Sequence, residues 1–216
     1  MSKLIFIGGG GHFKVAYNIS LKTPKIQILG VYDDRDLSNL LPPKVKYLGN
    51  LEKMIKDEID ALYFISIGDN SLRKKIFTEV SHHPFFQYRF NINLIHHESI
   101  IPDSMLFTKV GYNNLICAGV VIEPEVKLGN FNIINTNSSI NHDCTIGDFN
   151  HLAPNTTLCG HVSIKNGSFI GAGSTIIPKI KVGSKSIIGS QSNVIRDISD
   201  NSLAYGNPCK IIKKIL

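Results

Sequence analysis

Three histidines in the second half of the chain, His142, His151 and His161, carry side chains that can exchange protons near neutral pH. Asp143 directly follows the first of them and could orient its imidazole ring and stabilise the charged form of that ring. Gly160 follows His142 by 18 residues, and its backbone N–H could stabilise a developing oxyanion. These residue types predict a general-base site centred on His142.

A repeat of six residues must position these side chains. An aliphatic residue stands at every sixth position from residue 110 to residue 194, a period that fits neither an isolated helix nor a strand. This period is typical of a parallel β-helix whose coils have three flat sides, each built from one hexapeptide. We expect the aliphatic residues to point inward, each with a second inward residue four positions later that is usually small: Ser138, Cys144, Thr156, Ser168, Ser174, Ser186 and Ser192.

Three hexapeptides make a coil of about 18 residues, so residues 18 apart should lie above one another. His142 and Gly160 would then occupy the same place on successive coils, and the missing side chain of Gly160 would leave room for the imidazole. His151 is half a coil away from His142 and should reach it only from a neighbouring subunit. His161 is interpreted as a structural histidine.

Zinc binding is the alternative for the same histidines, since three histidines from adjacent subunits of a β-helix trimer can hold that metal. The spacing offers no short ligand pair such as His-x₃-His, whereas short pairs are typical of zinc sites. The general-base interpretation is therefore preferred, and no metal is expected.

The first hundred residues alternate predicted strands with predicted helices, which indicates a small parallel α/β sheet. The glycines after the first strand, Gly8, Gly10 and Gly11, would let backbone N–H groups approach a phosphate at a helix N-terminus. The dinucleotide fingerprint fails, because Phe13 and Lys14 stand where its last glycine would be needed. A nucleotide diphosphate is therefore expected in place of NAD.

Two carboxylates, Asp33 and Asp34, end the second predicted strand, and Gly68 ends the third. Carboxylates at this edge of an open α/β sheet commonly accept hydrogen bonds from a ribose or a base. The alternative is that these are merely turn residues. The prediction for the whole chain is a truncated Rossmann-like α/β domain over residues 1–99, a left-handed parallel β-helix over residues 100–195 and a tail over residues 196–216.

The composition argues against several classes of protein. Lys and Arg are scattered, without a basic stripe interleaved with aromatic residues, so nucleic-acid binding is not expected. No apolar run approaches the length of a membrane span, and residues 1–11 do not have the pattern of a signal peptide. The four cysteines show no CxxC spacing, which favours reduced thiols in a cytoplasmic protein. The net charge of +6 reflects either a soluble surface or a preference for phosphate-bearing ligands.

The residues around the first histidine resemble a known family. Residues 141–148, NHDCTIGD, and residues 151–154, HLAP, closely resemble the hexapeptide-repeat sugar acetyltransferases of the sialic-acid O-acetyltransferase and bacillosamine N-acetyltransferase type. Further matches to that family, which extend the resemblance over essentially the whole chain, are residues 8–12, 14–15, 32–34, 67–70, 73–76 and 206–210. Cys209 stands where the family usually has Ala, a change that keeps the side chain small.

The resemblance implies a homotrimer with active sites between subunits and with acetyl-CoA bound along the β-helix. His142 would take a proton from a sugar amine as the amine attacks the thioester. Asp143, where several relatives have Glu, would support that histidine, and His151 would position the sugar or the acetyl group. The residues that would bind CoA are Gly160, Ala172, Ser190, Pro208 and Lys210. Those that would bind the nucleotide sugar, with UDP or dTDP favoured over GDP, are Gly8, Gly10, Gly11, His12, Asp33, Asp34, Gly68 and Arg73.

The same resemblance predicts a cytoplasmic N-acetyltransferase that modifies the 4-amino group of a nucleotide-linked 4-amino-4,6-dideoxyhexose for a surface polysaccharide, such as O-antigen, or for a protein glycan. The predicted nucleotide pocket favours this substrate over a free sugar. The alternatives are a sugar O-acetyltransferase of the sialic-acid type and a non-catalytic or metal-dependent β-helix trimer. A chain that only senses a nucleotide is disfavoured by the intact His142, Asp143 and Gly160.

Overall fold

The computed structural model describes residues 1–102 and 108–215. The chain forms two compact units, Met1–Leu94 and Ile95–Leu216. The predicted first domain, residues 1–99, ends five residues beyond the first unit, and the predicted ranges 100–195 and 196–216 both lie in the second. Residues 103–107 and 216, which belong to those predicted ranges, lie outside the described residues.

The first unit is a parallel sheet connected by helices. Its strands are β1 (Ser2–Ile7), β2 (Ile26–Tyr32), β3 (Tyr47–Gly49) and β4 (Leu62–Ile65). They lie in the order β3-β2-β1-β4, and each neighbouring pair is parallel. The helices are α1 (Gly11–Leu21), α2 (Leu51–Asp57) and α3 (Asn70–Ser81), followed by a single 3₁₀ turn at Pro84–Phe86.

The apolar run of β1 explains why this strand lies inside the sheet. Leu4, Ile5, Phe6 and Ile7 are at most 1% exposed, as expected for a parallel strand that is covered on both faces. After β1 the chain turns through glycines directly into α1, so the N-terminus of this helix meets the carboxyl edge of the sheet. That edge is where open α/β sheets bind their ligands.

The second unit is a left-handed parallel β-helix, as the repeat predicts. After β5 (Leu94–Ile95), the two-residue strands β6 to β20 are, in order, Lys109–Val110, Leu115–Ile116, Val121–Ile122, Lys127–Leu128, Ile133–Ile134, Ser139–Ile140, Thr145–Ile146, His151–Leu152, Thr157–Leu158, Ser163–Ile164, Phe169–Ile170, Thr175–Ile176, Lys181–Val182, Ile187–Ile188 and Asn193–Val194. Face 1 contains β7, β10, β13, β16 and β19, face 2 contains β8, β11, β14, β17 and β20, and face 3 contains β6, β9, β12, β15 and β18. Neighbouring strands of a face are 18 residues apart, as in the pairing of Ile133 with His151.

The interior of the β-helix has the two inward positions per hexapeptide that the repeat predicts. The aliphatic residues that follow Val110 in the series are at most 3% exposed. The seven small residues predicted to point inward are at most 2% exposed. Two inward side chains per hexapeptide therefore fill the triangular coil, and the second of them is small at these seven positions.

Buried asparagines take the place of the small residue at three inward positions. Asn114, Asn132 and Asn150 are each 0% exposed. The Oδ1 atom of each accepts a hydrogen bond from the backbone N–H of the residue 18 positions further on, at 2.7–2.8 Å. This ladder gives each buried amide oxygen a partner, whereas an unsatisfied polar group would cost about 1–3 kcal/mol.

A hairpin follows the last repeat. β21 (Ser202–Gly206) pairs in parallel with β19 of face 1, and β22 (Cys209–Lys214) pairs with β21 in the antiparallel direction. Over residues 1–102 and 108–215, none of the helices is long and apolar enough to cross a membrane.

Ile187 and Ile188 are adjacent in one strand, and 39% and 0% of their surfaces are exposed. We expect Ile188→Ala to lower the free energy of unfolding by about 2–5 kcal/mol, because the truncation leaves a cavity inside the coil. The matched Ile187→Ala change should cost under about 1 kcal/mol, since that side chain is only partly buried. Urea unfolding followed by circular dichroism measures both losses, and equal losses would contradict the inward direction of Ile188.

Candidate active site

The corner between face 2 and face 3 carries the predicted base. His142 and Asp143 lie in the turn between β11 and β12. Asp143 has a φ of 61°, in the left-handed region that Asp adopts more readily than most residues. The next coil places Gly160 and His161 at the equivalent positions, and the His161 N–H donates to the His142 carbonyl oxygen at 3.0 Å. The four residues therefore form one stacked corner.

Gly160 leaves the space that the His142 ring occupies. A Cβ atom on Gly160 would lie 2.7 Å from Cε1 and 2.8 Å from Nε2 of that ring, closer than real Cβ contacts allow. Among the described residues, the Gly160 N–H has no hydrogen-bond acceptor. At the equivalent positions, Pro124 lies one coil before His142 and Pro178 lies one coil after Gly160, and neither residue has an N–H. The coil therefore does not depend on this amide, which remains able to donate to a bound molecule.

The carboxylate of Asp143 orients the imidazole of His142. Nδ1 of His142 lies 2.7 Å from Oδ2 of Asp143. This contact requires the proton on Nδ1 and leaves Nε2 with the lone pair that accepts a proton. The hydrogen bond from His142 lowers the pKa of Asp143 below its ordinary value, burial opposes this shift, and the charges of His161 and His142 lower the pKa further. Asp143 is therefore an ionised partner for a charged His142 ring.

His161 lies beside this pair, which corrects its interpretation as a structural histidine. Its side chain is 52% exposed, and its Nε2 lies 3.7 Å from Oδ2 of Asp143. Its ring meets the His142 ring edge to face, with centroids 5.3 Å apart. The signal was present in the sequence, since Asp143 and His161 are 18 residues apart, the same separation that joins His142 to Gly160.

Three groups at this corner could also hold a metal ion. His142, Asp143 and His161 each offer one ligand atom, and these atoms lie within 4.8 Å of one another. The donor set is thus two imidazoles and a carboxylate from one chain. It differs from the set of three histidines from adjacent subunits that the sequence alone suggested.

His151 lies elsewhere on the β-helix. It belongs to β13 of face 1, its ring meets the Phe169 ring edge to face at 5.1 Å, and its Nε2 lies 3.5 Å from Nδ2 of Asn135. The side chain is 6% exposed. A single chain therefore does not bring His151 to the corner of His142, as the half-coil spacing predicts.

The predicted CoA residues fall at three places in the β-helix unit. Gly160 is at the His142 corner, whereas Ala172 and Ser190 stack on each other at the corner between face 1 and face 2. Pro208 and Lys210 line a cavity of about 520 Å³ at the C-terminal hairpin. One chain does not gather these residues into a single site.

The first unit contains a separate cavity at the carboxyl edge of its sheet. This cavity has a volume of about 380 Å³. Seven of the eight residues predicted to bind the nucleotide sugar line it, namely Gly8, Gly10, Gly11, His12, Asp33, Asp34 and Gly68. Sequence reasoning missed Arg35, which also lines it and brings a cation next to the two carboxylates.

Asp33 is held in place on both of its oxygens. Oδ2 accepts a hydrogen bond from the Gly9 N–H at 2.8 Å, and Oδ1 accepts one from Nε of Arg35 at 2.9 Å. Burial opposes ionisation of this carboxyl, but the hydrogen bonds from Arg35 and Gly9 outweigh burial and lower its pKa to about 2. Asp34 is exposed beside it, and its Oδ1 accepts from the Leu51 N–H at 3.1 Å. Asp34 is therefore the more accessible carboxylate for a ligand.

Arg73 was expected to approach the nucleotide sugar, and the structure places it differently. Its side chain is 1% exposed, donates from Nη1 to the carbonyl oxygens of Ile67 and Gly68 at 2.7 and 3.1 Å, and lies outside the lining of the cavity. Arg73 thus holds the loop that carries Gly68. Burial and the Arg73 charge lower the pKa of His12, so this lining histidine favours its neutral form.

Comparison with known sequences identifies the first unit. The PglD N-terminal domain family matches residues 3–80. No curated protein matches the chain.

Solved structures match over nearly the whole chain. PerB from Caulobacter crescentus, in complex with CoA and GDP-perosamine, is 31% identical with a TM-score of 0.86, and the match covers 99% of this chain and 98% of that chain. A histidine-to-alanine mutant of GDP-perosamine N-acetyl transferase from Caulobacter crescentus, with the same ligands, is 30% identical with a TM-score of 0.87 and the same coverage. The acetyltransferase domain of PglB from Neisseria gonorrhoeae, in complex with acetyl coenzyme A, is 26% identical with a TM-score of 0.85 and covers 97% of this chain and 98% of that chain.

The lowered pKa of Asp33 predicts that the free energy of unfolding depends on pH. Because its folded pKa of about 2 lies below the ordinary 3.8, ionised Asp33 stabilises the fold above about pH 4, and this stabilisation is lost as the pH falls toward 2. We expect Asp33→Asn to lower the free energy of unfolding by about 2 kcal/mol at pH 7, with the difference shrinking below pH 4. Urea unfolding from pH 3 to pH 7 measures this difference in the free energy of unfolding between the variant and the wild type. Asp34→Asn is the exposed control, and it should lose less free energy of unfolding. A loss of stability in Asp33→Asn that stays constant from pH 7 down to pH 3 would contradict the account.

Proposed function

The chain belongs to the hexapeptide-repeat sugar acetyltransferases, and from this premise we propose that it transfers the acetyl group of acetyl-CoA to the 4-amino group of a nucleotide-linked 4-amino-4,6-dideoxyhexose. The observation that carries the proposal is the His142 ring, held by Asp143 with its Nε2 over Gly160. A base, its ionised partner and a donor for an oxyanion are thus adjacent. These are the groups that acyl transfer to an amine requires.

The reaction follows from these groups. The sugar amine, once neutral, attacks the thioester carbonyl carbon, so that a C–N bond forms and negative charge develops on the carbonyl oxygen. The Gly160 N–H donates to that oxygen, and Nε2 of His142 takes the proton that the nitrogen loses. The C–S bond then breaks, and the CoA thiolate leaves as the amide forms. Asp143 stabilises the imidazolium throughout, as the acidic member of a triad does.

The cavity of the first unit supports a nucleotide-linked substrate. The glycine loop from Gly8 to Gly11 lies at the N-terminus of α1, where backbone N–H groups and the helix dipole favour a diphosphate. Asp34 offers a carboxylate for a ribose or a base, and Arg35 offers a cation. UDP, dTDP and GDP sugars all fit this chemistry, and a relative in complex with GDP-perosamine makes GDP a required member of any substrate panel.

We propose a homotrimer with active sites between subunits. His151 and the pair Ala172 and Ser190 lie away from the corner of His142 and Gly160 in a single chain. A second copy would supply them to that corner. The proposed CoA contacts at Gly160, Ala172, Ser190, Pro208 and Lys210 then belong to two chains.

The first test is thiol release from acetyl-CoA with UDP-, dTDP- and GDP-linked 4-amino-4,6-dideoxy sugars, with free sialic acid as a control. We expect rapid release with one nucleotide-linked amino sugar and none with sialic acid. Thiol release with sialic acid alone would indicate O-acetylation in place of the proposed N-acetylation. Absence of thiol release with every sugar of the panel would reject the proposed activity.

His142→Ala should lower kcat by about 10²–10⁴-fold, because the proton then has no acceptor at the reacting nitrogen. Acetyl-CoA affinity and oligomeric state should stay as in the wild type. Steady-state kinetics, calorimetry and light scattering measure the three quantities, and His97→Ala, at an exposed histidine of the same unit, is the control. Turnover of His142→Ala at the wild-type rate would reject His142 as the base.

Gly160→Ala should lower kcat by about 10–100-fold, because a Cβ atom 2.7 Å from the His142 ring must displace that ring. The substitution leaves the fold intact, since the nearest atoms to the added methyl all belong to His142. Gly173→Asn is the control, because the positions one coil before and after, Asn155 and Gln191, carry side chains with the same left-handed backbone. If Gly160→Ala kept full activity, the ring would not need the space above this glycine.

A further inference from the structure

The corner of the proposed base has a second chemical property, which depends on His161. Nδ1 of His142 lies 2.7 Å and Nε2 of His161 lies 3.7 Å from the same oxygen, Oδ2 of Asp143. Two imidazoles thus flank one carboxylate on the outside of the coil. The acid–base role of His142 uses only one of these imidazoles and leaves His161 without a function.

We propose that His142, Asp143 and His161 form a binding site for Zn²⁺, and that zinc at this site inhibits acetyl transfer. The inhibition rests on the proposed role of His142 as the base. The site itself rests only on the positions of three ligand groups. The proposal therefore concerns an inhibitory ion, and catalysis needs no metal.

The donor set is one that zinc prefers. Zinc binds imidazole nitrogen and carboxylate oxygen at about 2.0–2.2 Å, with four ligands in a tetrahedron. Three protein ligands with one open position are typical of accessible zinc sites. Mg²⁺ and Ca²⁺ prefer oxygen ligands, so two imidazoles select against them.

The distances suit a tetrahedral ion after small rotations. Ligand atoms at about 2.0 Å from zinc lie about 3.3 Å from one another, between the observed separations of 2.7 and 3.7 Å, and all three ligand atoms lie within 4.8 Å. The side chains of His142, Asp143 and His161 are 59%, 39% and 52% exposed. They are therefore free to turn toward an ion, and the ion can enter from solvent.

The two left-handed turns hold the ligands at this corner. Asp143 and His161 have φ values of 61° and 62°, and the hydrogen bond from the His161 N–H to the His142 carbonyl oxygen joins the two coils. The ligand groups are thus brought together by the stacking of the coils before any ion binds. Zinc bound to Nδ1 of His142 would leave the ring proton on Nε2, so Nε2 could no longer accept a proton from the amine and acetyl transfer would stop.

The experiment measures metal binding and turnover separately on the full chain after treatment with EDTA. Cobalt absorption and calorimetry with Zn²⁺ report binding without substrate. Mass spectrometry of the acetylated sugar reports turnover at increasing Zn²⁺, with Mg²⁺ as the control. We expect zinc to bind and to inhibit turnover, and we expect EDTA to reverse that inhibition. Mg²⁺ should have no effect.

His161→Gln should weaken zinc binding and zinc inhibition by at least about tenfold, as expected when a metal loses a ligand. His97→Gln is the matched control, because it removes one histidine from the second such cluster among residues 1–102 and 108–215, namely His96, His97 and Glu98. Equal zinc sensitivity of His161→Gln and wild type would overturn the site, as would activity that EDTA abolishes and zinc restores. Zinc binding that depends on His161 in a protein without turnover would support the site and count against the proposed function.

Discussion

The stacking of each coil on the next, in a register of 18 residues, is the constraint on which the rest of the β-helix depends. Every strand of the three faces pairs in parallel with the strand 18 residues away. The register stacks aliphatic on aliphatic inside the coil, and it lets the backbone N–H of Asn150 donate to Oδ1 of Asn132. A slip of one residue would turn the inward side chains to solvent, so one register serves both the aliphatic core and the buried asparagine oxygens.

The same register builds the site. It sets His142 above Gly160 and Asp143 beside His161, so a ring, its partner and an empty space meet at one corner. The site depends on the missing side chain of Gly160 as well as on the His142 ring. A side chain at residue 160 would fill the place of the ring, and a proline there, as at Pro178 in the next coil, would remove the N–H.

Much of this arrangement could be predicted from the chain, because a period of six with a small residue at fixed offset reports directly which side chains point inward. The pairing of His142 with Gly160 followed from counting, and the same counting applied to Asp143 would have found His161. The buried Arg73 could not be read in this way, since an arginine after a strand has the same pattern whether it faces a ligand or binds carbonyl oxygens. Nor does the period say where outward residues such as Ala172 and Ser190 find their partners, because in the proposed trimer that depends on contacts between subunits.

The central claim is that His142 accepts the proton of a sugar amine at the corner it shares with Gly160. A crystal structure of the protein with CoA and its nucleotide-linked amino sugar tests this most directly. The account predicts the amine nitrogen within about 3 Å of Nε2 of His142, with the CoA sulfur beside the Gly160 N–H. An amine bound beyond the reach of His142, with both ligands fully occupied, would contradict it.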